Sequence, residues 1–252
     1  MTVIAFNEFF EISQQDALAI IYVKEKVFDF ITDVNLSSQL IDFIDQVDHD
    51  PHVKALIFYN APESFDDEQY DKYIYSIMEK KGGLEKGANP CFTEKNVRFR
   101  EINILNTIIK QMAKSQTLIV SGLQGTVVTP FVGCAMVADF RYASENAVFS
   151  MAHNRYGLHP SGGLPFFLSS YLHHSKALEM QMRKNILAKE ALELGLINKL
   201  LPNKDFINQL IKEIQPYLEL PFCTIRDTKR LTNFSRKGLV EYFEYEGGLL
   251  NL

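Results

Sequence analysis

The sequence predicts an α/β fold, and the pattern of apolar residues near its N-terminus is the main reason. Residues 17–23 and 53–59 are short apolar runs with the length of buried strands. Between them, residues 35–48 carry apolar side chains at the spacing of one helical face. Those side chains are Leu36, Leu40, Phe43, Ile44 and Val47. A strand, a helix and a strand in this order predict a parallel βαβ unit with a right-handed crossover.

Further alternation of helices and strands supports the same fold class. We predict, in order, a helix over 101–113, a strand over 117–121, a helix starting at Thr129 and Pro130, strands over 139–143 and 147–150, a helix over 176–185, a helix from 188 that stops at Gly195, a closing strand before Pro202, and helices from Phe206. Residues 62–100 are charged and weakly periodic, which predicts a helix followed by a mobile segment. That segment is either a plain surface excursion or a lid over a substrate.

The composition is that of a globular protein with no nucleic-acid partner. Of the 252 residues, 46% are hydrophobic and 23% charged, and the formal net charge is −5, so there is no overall basic footprint. Three cysteines without CxxC spacing indicate a reduced protein with neither disulfides nor a metal site. The N-terminus lacks a signal-peptide pattern, and no apolar run approaches the roughly 18 residues of a membrane span. We therefore expect a soluble, cytoplasmic protein.

Basic residues nevertheless form two local clusters. The first contains Lys80, Lys81 and Lys86, and the second contains Arg226, Lys229, Arg230, Arg236 and Lys237. Such clusters are either solvated faces or binding sites for a ligand that carries phosphate.

The segment QGTVVTPFVGC, residues 124–134, predicts a helix with a buried first turn. A Thr–Pro pair is typical of the N-cap and the first helical position. The first turn of a helix has unpaired N–H groups and the positive end of the helix dipole, so it favours an anion.

From Gln124 to Pro202 the sequence resembles the crotonase superfamily, also called enoyl-CoA hydratase/isomerase. The matching pieces are Gly125, Asp139, Phe149, the run GLHPSGG at 157–163 and AKEALELGLINKLLP at 188–202, in the same order and spacing. The resemblance implies a crotonase-like ββα spiral core over residues 1–200 and a C-terminal helical trimerisation region over 201–252. It also implies a homotrimer or hexamer that takes an acyl thioester of coenzyme A or of the phosphopantetheine arm of an acyl carrier protein, without a cofactor of its own.

The resemblance assigns candidate residues to the site. In the family, two backbone N–H groups form an oxyanion hole for the thioester oxygen. Pro130 stands at the donating helix glycine and has no N–H, so Phe131 is the candidate donor, with Gln69 on the other side of the hole. Gly133 and His153 stand where hydratases have their two glutamates. His153 is either a proton shuttle or a structural histidine.

Other candidates contact the substrate in this scheme. Gly133 and Tyr70 would line the acyl pocket, although Tyr70 equally fits helix packing, and Lys80 and Lys86 would bind a departing carboxylate. Because both glutamates are absent, ordinary two-carboxylate hydration is not expected of this chain. The leading hypothesis is an enolate-stabilising lyase or isomerase, similar to the decarboxylases of polyketide β-branching. The alternatives are a C–C bond hydrolase of diketones and a catalytically silent binding or scaffold protein.

Overall fold

The computed structural model describes residues 2–78, 90 and 92–249. Its strands are β1 (Thr2–Phe6), β2 (Phe10–Gln15), β3 (Leu18–Val23), β4 (Ala55–Asn60), β5 (Leu118–Leu123), β6 (Thr126–Val128), β7 (Phe140–Ser144), β8 (Val148–Ser150), β9 (Asn185–Leu187) and β10 (Lys199–Leu201). Its helices are α1 (Val27–Phe30), α2 (Val34–His49), α3 (Asp67–Ile77), α4 (Lys95–Lys114), α5 (Thr129–Met136), α6 (Leu164–Tyr171), α7 (His174–Met182), α8 (Ala188–Glu193), α9 (Phe206–Leu218), α10 (Phe222–Thr232) and α11 (Leu239–Gly248). Single 3₁₀ turns lie at Ala152–Tyr156 and Asn233–Arg236.

The described strands form two sheets, which confirms the α/β prediction. The main sheet has the order β1-β2-β3-β4-β5-β7-β10, and a small sheet has the order β6-β8-β9. Strands β3, β4, β5, β7 and β10 are parallel, whereas β1 and β2 add an antiparallel hairpin that the sequence analysis did not predict. Because parallel strands share their carboxyl ends, the segments that follow β3, β4 and β5 meet at one edge of the sheet.

Helix α2 illustrates how local sequence places an element. Asp33 caps it, since one carboxylate oxygen accepts the N–H groups of Asn35 and Leu36 at 2.8 and 3.0 Å. Its predicted apolar face is buried on the sheet, apart from Leu36, which is half-buried. Helix α4 begins at Lys95, earlier than the predicted residue 101. The apolar pattern did not reveal its first turns because two of their buried residues are charged, Arg98 and Glu101, which pair with each other in the interior.

The C-terminal helices pack on both sides of the core. Apolar residues of α9 cover the second face of the main sheet, and Gly122 of β5 leaves space for Leu210, whose Cδ1 would lie 2.6 Å from an added Cβ. Helix α11 returns to the other side, where the ring of Phe243 lies close to Gly163. The trimerisation role of this region remains a prediction. None of the described helices combines the length and apolarity needed to cross a bilayer.

Candidate active site

The N-termini of α3 and α5 meet beside the carboxyl end of the main sheet. The N–H of Val128, which precedes α5, donates to the carbonyl of Phe65 at 2.9 Å. The rings of Phe65 and Phe131 stack with centroids 4.1 Å apart and planes 14° apart. Two helix N-termini therefore direct their unpaired N–H groups and dipoles to one region.

The first turn of α5 starts one residue earlier than predicted. Val128 is the N-cap, so Thr129 and Pro130 are the first two helical residues. Thr129 does not cap because its buried hydroxyl contacts the Ser150 carbonyl at 3.2 Å and His153 Nδ1 at 2.7 Å. Since Val128 N–H is bonded to Phe65 and Pro130 has no N–H, the first-turn donors that remain are those of Thr129 and Phe131.

The structure does not support Gln69 as an oxyanion donor. Asp66 is the N-cap of α3, and its carboxylate accepts the Gln69 N–H at 2.9 Å. The earlier groups of this first turn, the N–H groups of Asp67 and Glu68, have no partner inside the helix. The Asp67 carboxylate accepts from the Ser150 hydroxyl at 2.7 Å and pairs with Arg155 at 2.8 Å.

Gly133 is a packing residue in this structure. A Cβ added there would lie 2.4 Å from the carbonyl oxygen of Gly162 and 2.9 Å from that of Ser161. Conversely, a Cβ on Gly162 would lie 2.4 Å from the Pro130 carbonyl oxygen. Helix α5 and the turn before α6 therefore touch backbone to backbone, and Gly133 has no side chain or free surface to offer a ligand.

His153 is buried and held against α5. Its Nδ1 contacts the Thr129 hydroxyl, and the backbone carbonyl of Gln181 also interacts with the imidazole ring. Burial lowers the pKa of His153 to about 4, since removal from water disfavours the imidazolium. No carboxylate among the described residues pairs with it, so the histidine–aspartate arrangement of a diketone hydrolase has no counterpart here.

This burial predicts a pH-dependent stability. Below the unfolded-state pKa of 6.5, the histidine of the unfolded chain binds a proton. In the folded protein His153 does not bind one until about pH 4, because its pKa is lowered to that value. Stability should therefore fall with decreasing pH in this window. Between pH 7 and 5, His153 should contribute about 2 kcal/mol of that loss.

Urea unfolding at the two pH values tests this prediction. The decrease in the free energy of unfolding between pH 7 and 5 should be about 2 kcal/mol smaller in His153→Gln than in the wild type. It should be unchanged in His174→Gln, which alters an exposed histidine. An undiminished loss in His153→Gln would show that His153 is protonated normally in the folded protein.

An apolar cavity adjoins the stacked phenylalanines. It has a volume of about 80 Å³ and lies between the carboxyl ends of β3, β4 and β5 and helices α1, α2, α4 and α5. Phe65 and Phe131 form part of its wall, together with Val27, Phe30, Leu105 and Leu123. Its lining is almost wholly hydrophobic, which suits an aliphatic group.

The remaining predicted residues either pack in the interior or lie outside the described residues. Tyr70 is buried within α3, where its ring packs against Phe28 and Tyr156 with centroids 5.6 and 6.0 Å away. Lys80 and Lys86 lie outside the described residues, as does the segment predicted to be mobile. In the second basic cluster, Lys229 is buried and Arg236 donates to the Val137 carbonyl at 2.7 Å, so these two do not form a phosphate site.

Comparison with known proteins identifies the family. The family model described as enoyl-CoA hydratase/isomerase matches residues 98–250. The chain belongs to the enoyl-CoA hydratase/isomerase family. The family match includes α5, the turn at residues 157–163 and the C-terminal helices, whereas Phe65 and α3 lie outside it.

Individual members of the family are similar at low identity. The chain is 23% identical over 169 residues to enoyl-CoA hydratase EchA19 of Mycobacterium tuberculosis, covering 67% of this chain and 59% of that protein. It is 27% identical over 161 residues to enoyl-CoA delta isomerase 2 of Rattus norvegicus, covering 62% and 38%. The chain thus spans little more than half the length, or less, of these curated relatives.

Solved structures of the family share the fold. An enoyl-CoA hydratase from Mycobacterium avium subsp. paratuberculosis aligns over 99% of this chain and 96% of that one, with a TM-score of 0.75 and 20% identity. This agreement confirms the predicted crotonase-like fold. Among the described residues of this family member, no group of three His, Cys, Asp or Glu side chains is arranged to hold a metal ion.

Proposed function

We propose that this chain stabilises the enolate of an acyl thioester and acts as a lyase or isomerase. The observation that carries the proposal is the meeting of the α3 and α5 N-termini, whose unpaired N–H groups flank Phe65 and Phe131. Thr129 and Phe131 would donate from one side, and Asp67 and Glu68 from the other. Each donor aimed at a developing oxyanion contributes about 3 kcal/mol to transition-state stabilisation.

Hydration does not fit the same region. It requires groups that activate a water molecule and protonate carbon, which the family pattern places at positions 133 and 153. Gly133 is packed on a backbone carbonyl, and His153 is neutral and bonded to Thr129. Chemistry that begins by forming the enolate directly needs no such water.

Decarboxylation is the simplest reaction of this kind. The C–C bond to the carboxylate breaks, its electron pair enters the thioester as an enolate, and carbon dioxide leaves. A proton then forms the new C–H bond and the thioester is restored. The cavity of about 80 Å³ has room for only a few water-sized groups, since one water occupies about 30 Å³ in the liquid, so we propose a short acyl chain carried on coenzyme A or an acyl carrier protein.

Product masses after incubation with two thioesters test the proposal. The protein should release carbon dioxide from 3-methylglutaconyl-CoA and should not add water to crotonyl-CoA. Hydration of crotonyl-CoA would overturn the enolate-only mechanism. Binding of both thioesters without any turnover would assign a binding or scaffold role, and absence of binding to either would exclude acyl-CoA ligands.

A further inference from the structure

Charged and phenolic side chains from three helices meet in the interior near the turn at residues 157–163. Arg98 and Glu101 of α4 form an ion pair, with Nη1 and Oε2 2.5 Å apart and side chains 2% and 0% exposed. The Tyr73 hydroxyl of α3 lies 3.5 Å from the same Glu101 oxygen. Glu246 of α11 is 2% exposed and close enough to feel the charges of both α4 residues. We call these four residues the buried polar cluster.

The hydrogen bonding of the buried polar cluster is incomplete. Among the described residues, Arg98 Nε, Glu101 Oε1 and both carboxylate oxygens of Glu246 have no hydrogen-bond partner of good geometry. Leaving a buried polar atom unpaired costs free energy, and a charged group costs more than a neutral one. Because most buried polar groups in folded proteins are hydrogen-bonded, unpaired atoms of this kind are consistent with a catalytic or ligand-binding role.

Glu246 lies next to the turn that supports α5. The Gly163 N–H and the Tyr242 hydroxyl are close to its carboxylate. The neighbouring Gly162 packs on the Pro130 carbonyl, where an added Cβ would be 2.4 Å from the oxygen. One peptide unit of the turn therefore connects the unpaired carboxylate to the first turn of α5.

An aromatic ring links the cluster to the same helix end. Phe28 stacks on Tyr73 with centroids 4.9 Å apart and meets Phe131 edge-on at 5.2 Å. Phe28 thus contacts both Tyr73 of the cluster and Phe131, whose N–H is one of the proposed oxyanion donors.

We propose that Glu246 is the proton-transfer residue of the site and takes the place of the carboxylates absent at positions 133 and 153. This inference rests on the proposed function. As a carboxylate, Glu246 takes the proton from the carbon next to the thioester, and the C–H electron pair moves into the enolate. The same carboxyl then returns a proton to carbon, or supplies it after decarboxylation and regains one from water.

The surroundings of Glu246 suit this role. Burial raises its pKa to about 7, and Tyr242, the Gly163 N–H and Arg98 oppose that rise only in part. A group that titrates near neutrality can both accept and donate a proton. The other groups that face it are Glu101 from α4 and, beyond Arg98, His159 from the turn.

Hydrogen–deuterium exchange into butyryl-CoA in deuterated water tests this assignment. The wild-type protein should introduce deuterium next to the thioester, with a rate that rises through about pH 7. Glu246→Gln should reduce the rate by more than about 100-fold without weakening butyryl-CoA binding measured by calorimetry. Glu244→Gln, which alters an exposed glutamate of the same helix, should exchange at the wild-type rate.

The outcomes separate the two proposals. Exchange retained in Glu246→Gln, or wild-type protein that binds butyryl-CoA without exchanging it, would overturn the role of Glu246 and leave thioester binding in place. Absence of binding in the wild type would overturn the proposed function itself. Because glutamine removes a buried charge without changing shape, thermal unfolding should show the variant folded, and Glu246→Asp provides a second variant with a shifted pH profile.

Discussion

Replacing Lys229 by alanine is expected to lower the free energy of unfolding by about 3–5 kcal/mol, the usual cost of breaking a buried ion pair from one side. Lys229 Nζ lies 2.7 Å from Asp139 Oδ2 and donates to the Thr117 carbonyl at 2.7 Å. The Asp139 oxygen also accepts the Ile119 N–H at 2.8 Å. The alanine variant would leave the carboxylate without its cation between α10 and the main sheet.

Urea unfolding of matched variants measures the effect. Arg226→Ala on the same helix breaks an exposed pair with Asp227 and should leave the free energy of unfolding nearly unchanged, because water and salt screen exposed charges. The double variant Lys229→Ala/Asp139→Asn should cost less than the sum of the single changes, because the residues act on each other directly. Equal losses for Lys229→Ala and Arg226→Ala would contradict the buried pair.

Replacing Gly133 by alanine is expected to destabilise the protein by about 3 kcal/mol, at the upper end of overpacking costs. The added methyl would meet the backbone of Gly162 at 2.4 and 2.8 Å, and a backbone peptide cannot rotate away as a flexible side chain can. Gly133→Glu should be at least as damaging. It would restore a carboxylate at the hydratase position without restoring hydration, since the turn would have to move first.

The control for this prediction is Gly247→Ala. An added Cβ at Gly247 meets no atom within 4 Å, so helix propensity alone should make that variant neutral or more stable by up to about 1 kcal/mol. Thermal and urea unfolding of both variants gives the comparison. A Gly133→Ala protein as stable as wild type would show that α5 and the turn are not in direct backbone contact.

Local patterns in the sequence were enough to predict the central βαβ unit. The apolar runs that became β3 and β4 and the amphipathic face of α2 depend on neighbours in the chain, so periodicity reveals them. The N-terminal hairpin of β1 and β2 was missed because β1 is exposed along most of its length, so its sequence has no alternation of buried and exposed residues. The family itself was recognisable because Gly125, Asp139, Phe149 and the turn at 157–163 occur at characteristic spacing.

The chemistry of the site depended far more on the fold. Sequence alone shows that position 130 lacks an N–H and that positions 133 and 153 lack glutamate. It cannot show that Asp66 occupies the Gln69 N–H, because capping is decided by where the helix begins. It also cannot distinguish Lys229, in a run of basic residues, from its exposed neighbours.

Glu246 makes the same point most strongly. In the printed sequence it is one of three glutamates in EYFEYE, and nothing in that stretch separates it from Glu244. Only the folding of α11 against α4 and the Gly163 turn removes it from water and places it near Arg98. Side-chain identity and helical spacing are properties of the chain, whereas burial and the pKa that follows from it are properties of contacts between residues far apart in sequence.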